Sequence, residues 1–458
     1  MDLFGDSDSE DESANAGPSE ETMRMIAERQ KITEKTDEYL NEAQVSFPPP
    51  VPLPPLWPQP MFSGPVVFSD SSDEFGGGRS FIAQVDLPPG TLLMKELPLC
   101  TWPSEAIGKA LSVDVLKSVP DLGLLDNLFP YTLSDVPASA VEKQRISMEA
   151  DLKQLSKEMN VCADDLLRYY FTLTCNGFDS GVYGHLSIFN HSELPNCIKF
   201  SPNDGILYSE VRTVKHVKKG DHLTISYMNP REQSFVRRRK YFLDQHNFDI
   251  TDEIRDLSTV QKFDSTKCSA EEVENTEKTI DEFTKMYEEF KAVNEEAGKA
   301  STAFASEIKE KLSLKCRDLY AASSELLGAV LSMFSTHVIT LRCLRLHTNL
   351  CALMLDLAGT PGKVLIDEME GTNILCDFVK SASKLLEMQE EYHEGDTHPD
   401  IGSTLLDFAE GINALLSKAP ERLFALKIYR LSSIVASSKF ESELRAKHRR
   451  IERIYIFK

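Results

Sequence analysis

The spacing of apolar residues changes period along this 458-residue chain, and that change limits the fold more than any single motif. FSGPVVFSD and then GRSFIAQVDLPPGTLLMKEL (78–97) alternate apolar and polar side chains around glycine and proline, the two-residue period of short strands joined by tight turns. Between 103 and 172 the three-to-four spacing of helices takes over, in LSVDVLKSV, VEKQRISMEADLKQLSKEM and CADDLLRYYFTL. Strand texture returns in CIKFSP, ILYSEVRTV and DHLTISYM (197–228). After residue 260 the pattern is helical to the end, with amphipathic stretches at 269–298, 305–334, 336–358, 365–390, 401–417 and 420–436 and no clear repeat. The chain is also too long for one hydrophobic core. These features predict an α+β protein: a sheet-rich unit interrupted by a helical insertion, followed by an all-α domain.

Residues 1–61 stand outside that pattern. DSDSEDESANAGPSEE is acidic, serine-rich and poor in apolar residues, so residues 1–22 are expected to be disordered, with Ser7 and Ser9 as phosphorylation candidates in what is otherwise a solubilising tail. Residues 23–44 suit a lone helix. FPPPVPLPPLWPQP (47–60) has polyproline II character and is expected to be a stiff linker, with docking to a proline-reading domain as the other option. Residues 1–44 hold 13 Asp/Glu against 4 Lys/Arg, so the tail supplies about two-fifths of the net charge of −22. So acidic a chain repels phosphates, which argues against direct nucleic-acid binding and for basic partners.

The longest nearly apolar run, LLGAVLSMFSTHVITL (326–341), is shorter than a membrane span and contains a histidine, which predicts a buried core helix rather than a membrane segment. No charged-then-apolar signal opens the chain, so a cytosolic or nuclear home is expected. The nine cysteines are scattered without C-x-x-C pairs, the usage of reduced core residues.

Two stretches carry possible chemistry. GGGRSF (76–81) would let backbone approach a ligand closely, but it lacks the lysine and spacing of phosphate-binding loops and is by itself no more than a turn. In SIFNHSELPN (187–196), Asn190 and His191 follow an apolar Ile188-Phe189 pair. Some thirty-five residues later, KKGDHLTISY (218–227) is a turn into a strand ending on Tyr227, where a phenol beside a polar pocket can face a reaction centre. The plainer reading is that Asn190 and His191 tie crossing segments together.

GRSF, the CNGF of 175–178, SIFNHSELPN and KKGDHLTISY stand in the order and rough spacing of a SET domain, and the chain resembles that fold of S-adenosylmethionine-dependent protein lysine methyltransferases. The helical insertion is similar to the SET-I insert. EGDTHPDIGSTLLDFA (394–409) is similar to the helical C-terminal domain of the SET-and-MYND-domain proteins. The resemblance covers residues 62–255 well and 256–420 loosely. It implies an N-terminal SET part at 62–102, the insertion at 103–174, the SET core at 175–228, a degenerate post-SET segment at 229–255 and a helical domain at 256–458.

On that template Tyr227 is the catalytic tyrosine of the methyl-transfer channel. Gly78, Arg79 and Ser80 cradle the methionine end of the cofactor, and Cys175 and Asn176 are a second contacting pair. Asn190 holds the cofactor's amino-acid portion, the His191 backbone meets the adenine and Phe189 packs beneath. Phe248 and His246 complete the far wall of the lysine channel, with Tyr227 and Phe248 also adjoining the cofactor. Two departures matter. Glu193 stands where the family motif has a cysteine, and Ile250, Asp252 and Arg255 stand where its post-SET segment has three more, so no zinc is expected. No cysteine cluster in 103–172 suggests a MYND finger. His246 replaces a tyrosine, and its charge, if protonated near pH 6.5, would oppose a cationic substrate.

The resemblance implies methylation of lysine side chains in histone or non-histone proteins, and an acidic body would favour lysine-rich substrates such as histone tails. The alternatives are a catalytically silent SET-fold scaffold, with the Pro-rich segment and helical domain holding partners, and transfer to a non-lysine acceptor. VRRRK (236–240) and RAKHRR (445–450) are expected to be solvated surface, with nuclear import as the other reading, which leaves nucleus and cytoplasm as the expected locations.

Overall fold

The computed structural model describes residues 47–72, 78–102, 113–178, 180–200, 208–228, 232–246, 248–251, 258–299, 302–334, 336–358, 368–418 and 442–452. The acidic tail with Ser7 and Ser9, the helix expected at 23–44, Gly76, Gly77, Asp252, Arg255 and the helix expected at 420–436 lie outside the described residues.

The first alternating stretch builds β1 (Phe62–Ser63), β2 (Val66–Ser72), β3 (Gly78–Ala83) and β4 (Leu92–Glu96). The second builds β5 (Gly177–Phe178), β6 (Gly181–Val182), β7 (Asn190–His191), β8 (Cys197–Phe200), β9 (Ser209–Thr213) and β10 (Thr224–Ile225). β2 and β3 pair antiparallel with Phe68 opposite Phe81, and Phe81 and Ala83 are buried while Ile82 between them is half-buried, as a one-sided strand requires. A four-stranded antiparallel sheet runs β1-β4-β9-β8. Every residue of β9 is buried because both of its faces are covered. Val211 joins the core of the sheet unit, whereas Val214 just beyond the strand joins the core of the helical domain. The two chemical classes of residue on β9 are reconciled by pairing: buried Arg212 meets buried Glu210 at 3.0 Å.

Among the described residues 113–137, prolines at 120, 130 and 137 separate short 3-10 turns, and continuous helix follows them. Then come α1 (Ala138–Ser147), α2 (Glu149–Met159) and α3 (Ala163–Asn176). α3 opens with Asp164 and Asp165 in its first turn, where negative charge suits the helix N-terminus. It buries Leu166, Leu167, Tyr170 and Leu173 and ends at Gly177, whose added Cβ would lie 2.7 Å from the Leu173 carbonyl. The helix therefore runs two residues past the expected insertion boundary and carries Cys175 and Asn176 on its last turn.

The proline-rich stretch is not a solvent-spanning linker. Leu53 and Trp57 are buried, Trp57 Nε1 donates to the Leu124 carbonyl at 3.0 Å, and its ring meets His185 edge-on at 5.3 Å. Gly184 is required beneath it: a Cβ there would sit 2.5 Å from the indole. Residues 47–60 thus form a strap held to the folded unit by Leu53 and Trp57.

The segment expected to be a degenerate post-SET tail contains α4 (Phe235–Gln245), capped by Ser234, and is followed by α5 (Ser258–Asp264). Beyond lie α6 (Ala270–Lys299), α7 (Thr302–Phe334), α8 (Val338–Ala358), α9 (Glu368–Tyr392), α10 (Pro399–Lys418) and a helix at 442–452, close to the periods read from sequence. Val338–Leu357 of α8 is long and apolar enough to cross a membrane by length and composition, yet 78% of it is buried. It contacts α6, α7, α9 and α10, so its apolar surface is covered by protein. Thr397 Oγ1 donates to the Val214 carbonyl at 2.6 Å and Arg345 pairs with Glu232, fastening the helical domain to the sheet unit.

Candidate functional site

β7 and β10 lie parallel, with Asn190 opposite Thr224 and His191 opposite Ile225. Each is only two residues long, so side chains must hold the crossing. Asn196 does this from both ends of its amide: Thr224 N donates to its Oδ1 at 2.9 Å and its Nδ2 donates to the His222 carbonyl at 2.7 Å. The sequence reading assigned Asn196 no role, although its place after Pro195, in a turn, was the available signal.

With the crossing fixed, residues distant in sequence converge. Tyr227 donates its hydroxyl to the Phe189 carbonyl at 3.0 Å, and its backbone N–H to His191 Nδ1 at 3.2 Å. Asn190 Nδ2 donates to the Arg79 carbonyl at 2.8 Å. Arg79, Phe189, Asn190, His191 and Tyr227 therefore form one site. Phe189 is fully buried and packs on Phe81 at 4.9 Å between ring centroids.

Other expected contact residues have polar groups engaged within the protein, although Asn176 also lines the cavity beside Tyr227. The Arg79 guanidinium donates to the Asn127 carbonyl at 2.5 Å and lies 5.4 Å from the ring centroids of Trp57 and of Tyr131, so only its main chain meets Asn190. Ser80 is buried with its hydroxyl 3.1 Å from His222 Nδ1. Asn176 spends its amide on the carbonyls of Phe129 and Thr172, capping the end of α3. Gly78 opens β3 opposite Ser72. Phe248 stacks near His191, Phe242 and His246, with centroids at 5.8, 5.0 and 6.1 Å, as part of an aromatic cluster under α4.

A cavity of about 580 Å³ opens beside Tyr227, between the sheet unit and the helical domain. Cys175, Tyr227, Tyr241 and His246 line one side, and His393, His398 and Asp400 the other. Burial, with Cys175 alongside, pushes the Tyr227 phenol well above its ordinary range, so it is a neutral hydrogen-bond donor at physiological pH and no proton acceptor. Burial likewise pushes the Cys175 thiol up to about 11, which leaves it unreactive. His246 is held down to about 4 by burial and then by His191, against a hydrogen bond with the Cys175 backbone. The charge that sequence alone put near pH 6.5 is therefore absent at neutral pH. His246 Nε2 is buried and meets no hydrogen-bond partner among the described residues.

Glu193, at the position expected to lack a zinc-binding cysteine, is buried and accepts from Arg238 Nε at 2.7 Å, with His191 Nε2 3.2 Å from its other oxygen. Arg238 is 1% exposed and also meets both oxygens of Asp264 on α5, at 3.1 and 2.7 Å. Burial works to raise the Glu193 carboxyl, but the His191 hydrogen bond and the Arg238 charge outweigh it and hold it at about 2. VRRRK is exposed at Val236, Arg239 and Lys240 but not throughout. Arg237 pairs with Glu277 and Asp281, Arg238 is interior, and Arg239 pairs with Asp249.

On the opposite wall, one ligand atom from each of His393, His398 and Asp400 lies within 4.8 Å of the others. The two imidazoles, however, stack at 3.6 Å with 8° between planes. A metal bound by histidine lies in the ring plane about 2.0–2.1 Å from nitrogen, and two parallel rings share no such point. His398 Nδ1 also accepts the Asp400 N–H at 3.2 Å, at the start of α10. As arranged, the three residues close a helix end.

Residues 78–228 match the protein family described as SET domain. This stretch of the chain is a SET domain. The match spans about a third of the chain and ends at Met228, directly after Tyr227, so the SET domain holds the converged site while α4–α10 lie outside it. A SET domain-containing protein of Acanthamoeba polyphaga mimivirus is 26% identical over 190 residues, covering 38% of this chain and 71% of the viral protein. Among solved structures, the SET domain of LSMT, crystallised with lysine and AdoHcy, covers 81% of this chain and 94% of its own at 12% identity. Its TM-score of 0.27 is too loose a superposition for the two sites to be compared.

Proposed function

We propose that the protein is an S-adenosylmethionine-dependent methyltransferase acting on lysine side chains of proteins, organised like the SET-and-MYND-domain enzymes but without a zinc-stapled post-SET segment. The observation that carries this reading is the convergence of Tyr227 on Phe189 and His191 within the SET-matching stretch, with Tyr227 also lining the cavity between that stretch and the helical domain. The unpartnered buried Nε2 of His246, on the cavity wall, calls for a polar group in the cavity. When bound, S-adenosylmethionine supplies an electrophilic methyl on a sulfonium.

This chain's residues provide position and environment. Tyr227 spends its proton on the Phe189 carbonyl, which fixes the ring and leaves its oxygen lone pairs as acceptors. His246, neutral, offers its Nε2 lone pair to an amine N–H without adding positive charge. Desolvation of a lysine amine in the cavity would lower its pKa from about 10.4 toward the neutral, nucleophilic form. Alignment of the reacting groups contributes on the order of 7–11 kcal/mol in well-ordered cases. The net charge of −22 favours basic protein substrates, histone tails among them. Residence in both nucleus and cytoplasm is part of the proposal, testable by imaging the tagged full chain.

The decisive experiment supplies the full chain with methyl-labelled S-adenosylmethionine and a lysine-rich protein mixture, while a melt with S-adenosylhomocysteine reports binding. Methyl-lysine formation that Tyr227→Phe lowers by about 10²-fold or more, with the ligand-induced shift preserved, is expected. A ligand shift without transfer would leave a silent scaffold, and no shift at all would remove the cofactor reading.

A further inference from the structure

The proton positions around His191 follow from its partners. The Tyr227 backbone N–H can only donate, so His191 Nδ1, 3.2 Å away, is the bare nitrogen. The imidazole proton of the neutral ring is therefore on Nε2, which faces Glu193 Oε1 at 3.2 Å. The other Glu193 oxygen takes Arg238 Nε at 2.7 Å, and Arg238 in turn grips Asp264 with its two terminal nitrogens. This makes a continuous chain from α5, through α4, to the backbone of Tyr227. His191, Glu193 and Arg238 are buried and Asp264 is nearly so.

We propose that Glu193, anchored by Arg238 and Asp264, is a positioning residue that sets the His191 tautomer and through it the placement of Tyr227. The site demands two acceptors from residue 193, one for imidazole Nε2–H and one for guanidinium Nε–H. A carboxylate meets both demands. A glutamine of the same shape has one oxygen and one NH₂, and a permanently charged guanidinium commands the oxygen. The NH₂ then faces His191 Nε2 and drives the proton to Nδ1, where it opposes the Tyr227 N–H. Glu193→Gln thus disturbs the tyrosine without changing the volume of the core.

Two measurements on the full chain test this. Imidazole ¹⁵N spectra, with the His191 signal assigned by its loss in His191→Asn, are expected to show Nε2–H in the wild type and a reversed or averaged tautomer in Glu193→Gln. For turnover the proposal rests on the methyltransferase reading: kcat is expected to fall about 10²-fold, the scale of an ångström misplacement, with KM for the cofactor unchanged. Replacing the ionic trio with apolar residues (Glu193→Leu, Arg238→Met, Asp264→Leu) separates support from placement, because well-packed apolar residues can restore stability lost by breaking a buried ion pair. Recovered melting with turnover still low is the expected result. A wild-type tautomer in Glu193→Gln, or full turnover in the apolar triple variant, overturns the proposal. If the wild type methylates nothing, the tautomer comparison still decides the positioning chain, and only the activity reading is lost. If Glu193→Gln fails to fold, Arg238→Lys provides the second variant: it keeps the charge and the Glu193 carboxylate, so Nε2–H is expected to persist, but it cannot span Glu193 and Asp264, and a proton found on Nδ1 or an unchanged kcat there overturns the proposal.

Discussion

Asn196 shows how much of the site hangs on single amides. Its side chain satisfies one buried donor and one acceptor on the segment leading into β10, and truncation leaves the Thr224 N–H and the His222 carbonyl without that partner. Asn196→Ala is expected to cost about 2–3 kcal/mol, the scale for stranding partly buried polar groups. Urea unfolding measures this, and a loss below about 0.5 kcal/mol would mean that β7 and β10 hold together without it. Tyr227, Asn190 and His191 were recognisable from their motif because its residue types and order are written locally in the sequence, and the structure brings the three together. Side-chain direction was not recognisable. Arg79 and Ser80 belong to the same motif, yet their polar ends are drawn to the nearest unmet partners, Asn127 and His222, which no local pattern names.

At the level of elements, the helices of the C-terminal half followed their sequence periods within a few residues, because an amphipathic helix is written in neighbours three and four apart. The strap at 47–60 did not, since proline-rich backbone has no periodic face and its fate depends on whether a matching groove exists. Trp57 finds that groove over Gly184, beside His185 and the Leu124 carbonyl. Trp57→Ala is expected to destabilise the fold by about 3–5 kcal/mol, as for other buried aromatics. Thermal or urea melts check this, and wild-type stability would show that the strap contributes nothing to the core.

Across the whole molecule, buried histidines tie stability to acidity. Burial, then His191, holds His246 at about 4, and burial, then Arg238, holds His337 at about 4. His347 is lowered too, chiefly by burial. These groups are neutral when folded but bind protons near pH 6.5 when unfolded, so the unfolded chain takes up more protons between about pH 6.5 and 4. Stability is full above that window and declines as pH falls through it, by up to about 3 kcal/mol for each of His246 and His337. Glu193 has the opposite sense. Its depressed carboxyl, at about 2, adds stability above pH 4.5 that is lost as pH falls from there toward 2. Melting temperature is therefore expected to drop in two stages on acidification. A flat profile between pH 6.5 and 4 would contradict the burial of the neutral imidazoles.

The amino-acid sequence by itself determined the order of strand and helix textures and the four motifs that mark a SET domain, because both are written in residues close together along the chain. Only tertiary structure decided that Leu53 and Trp57 of a proline-rich segment enter the core, that Arg238 in a run of basic residues is interior, and that Glu193 carries charge between His191 and the helical domain. Those outcomes depend on pairs such as 57 with 124, 193 with 238 and 238 with 264, whose meeting is set by burial and loop closure rather than by local spacing.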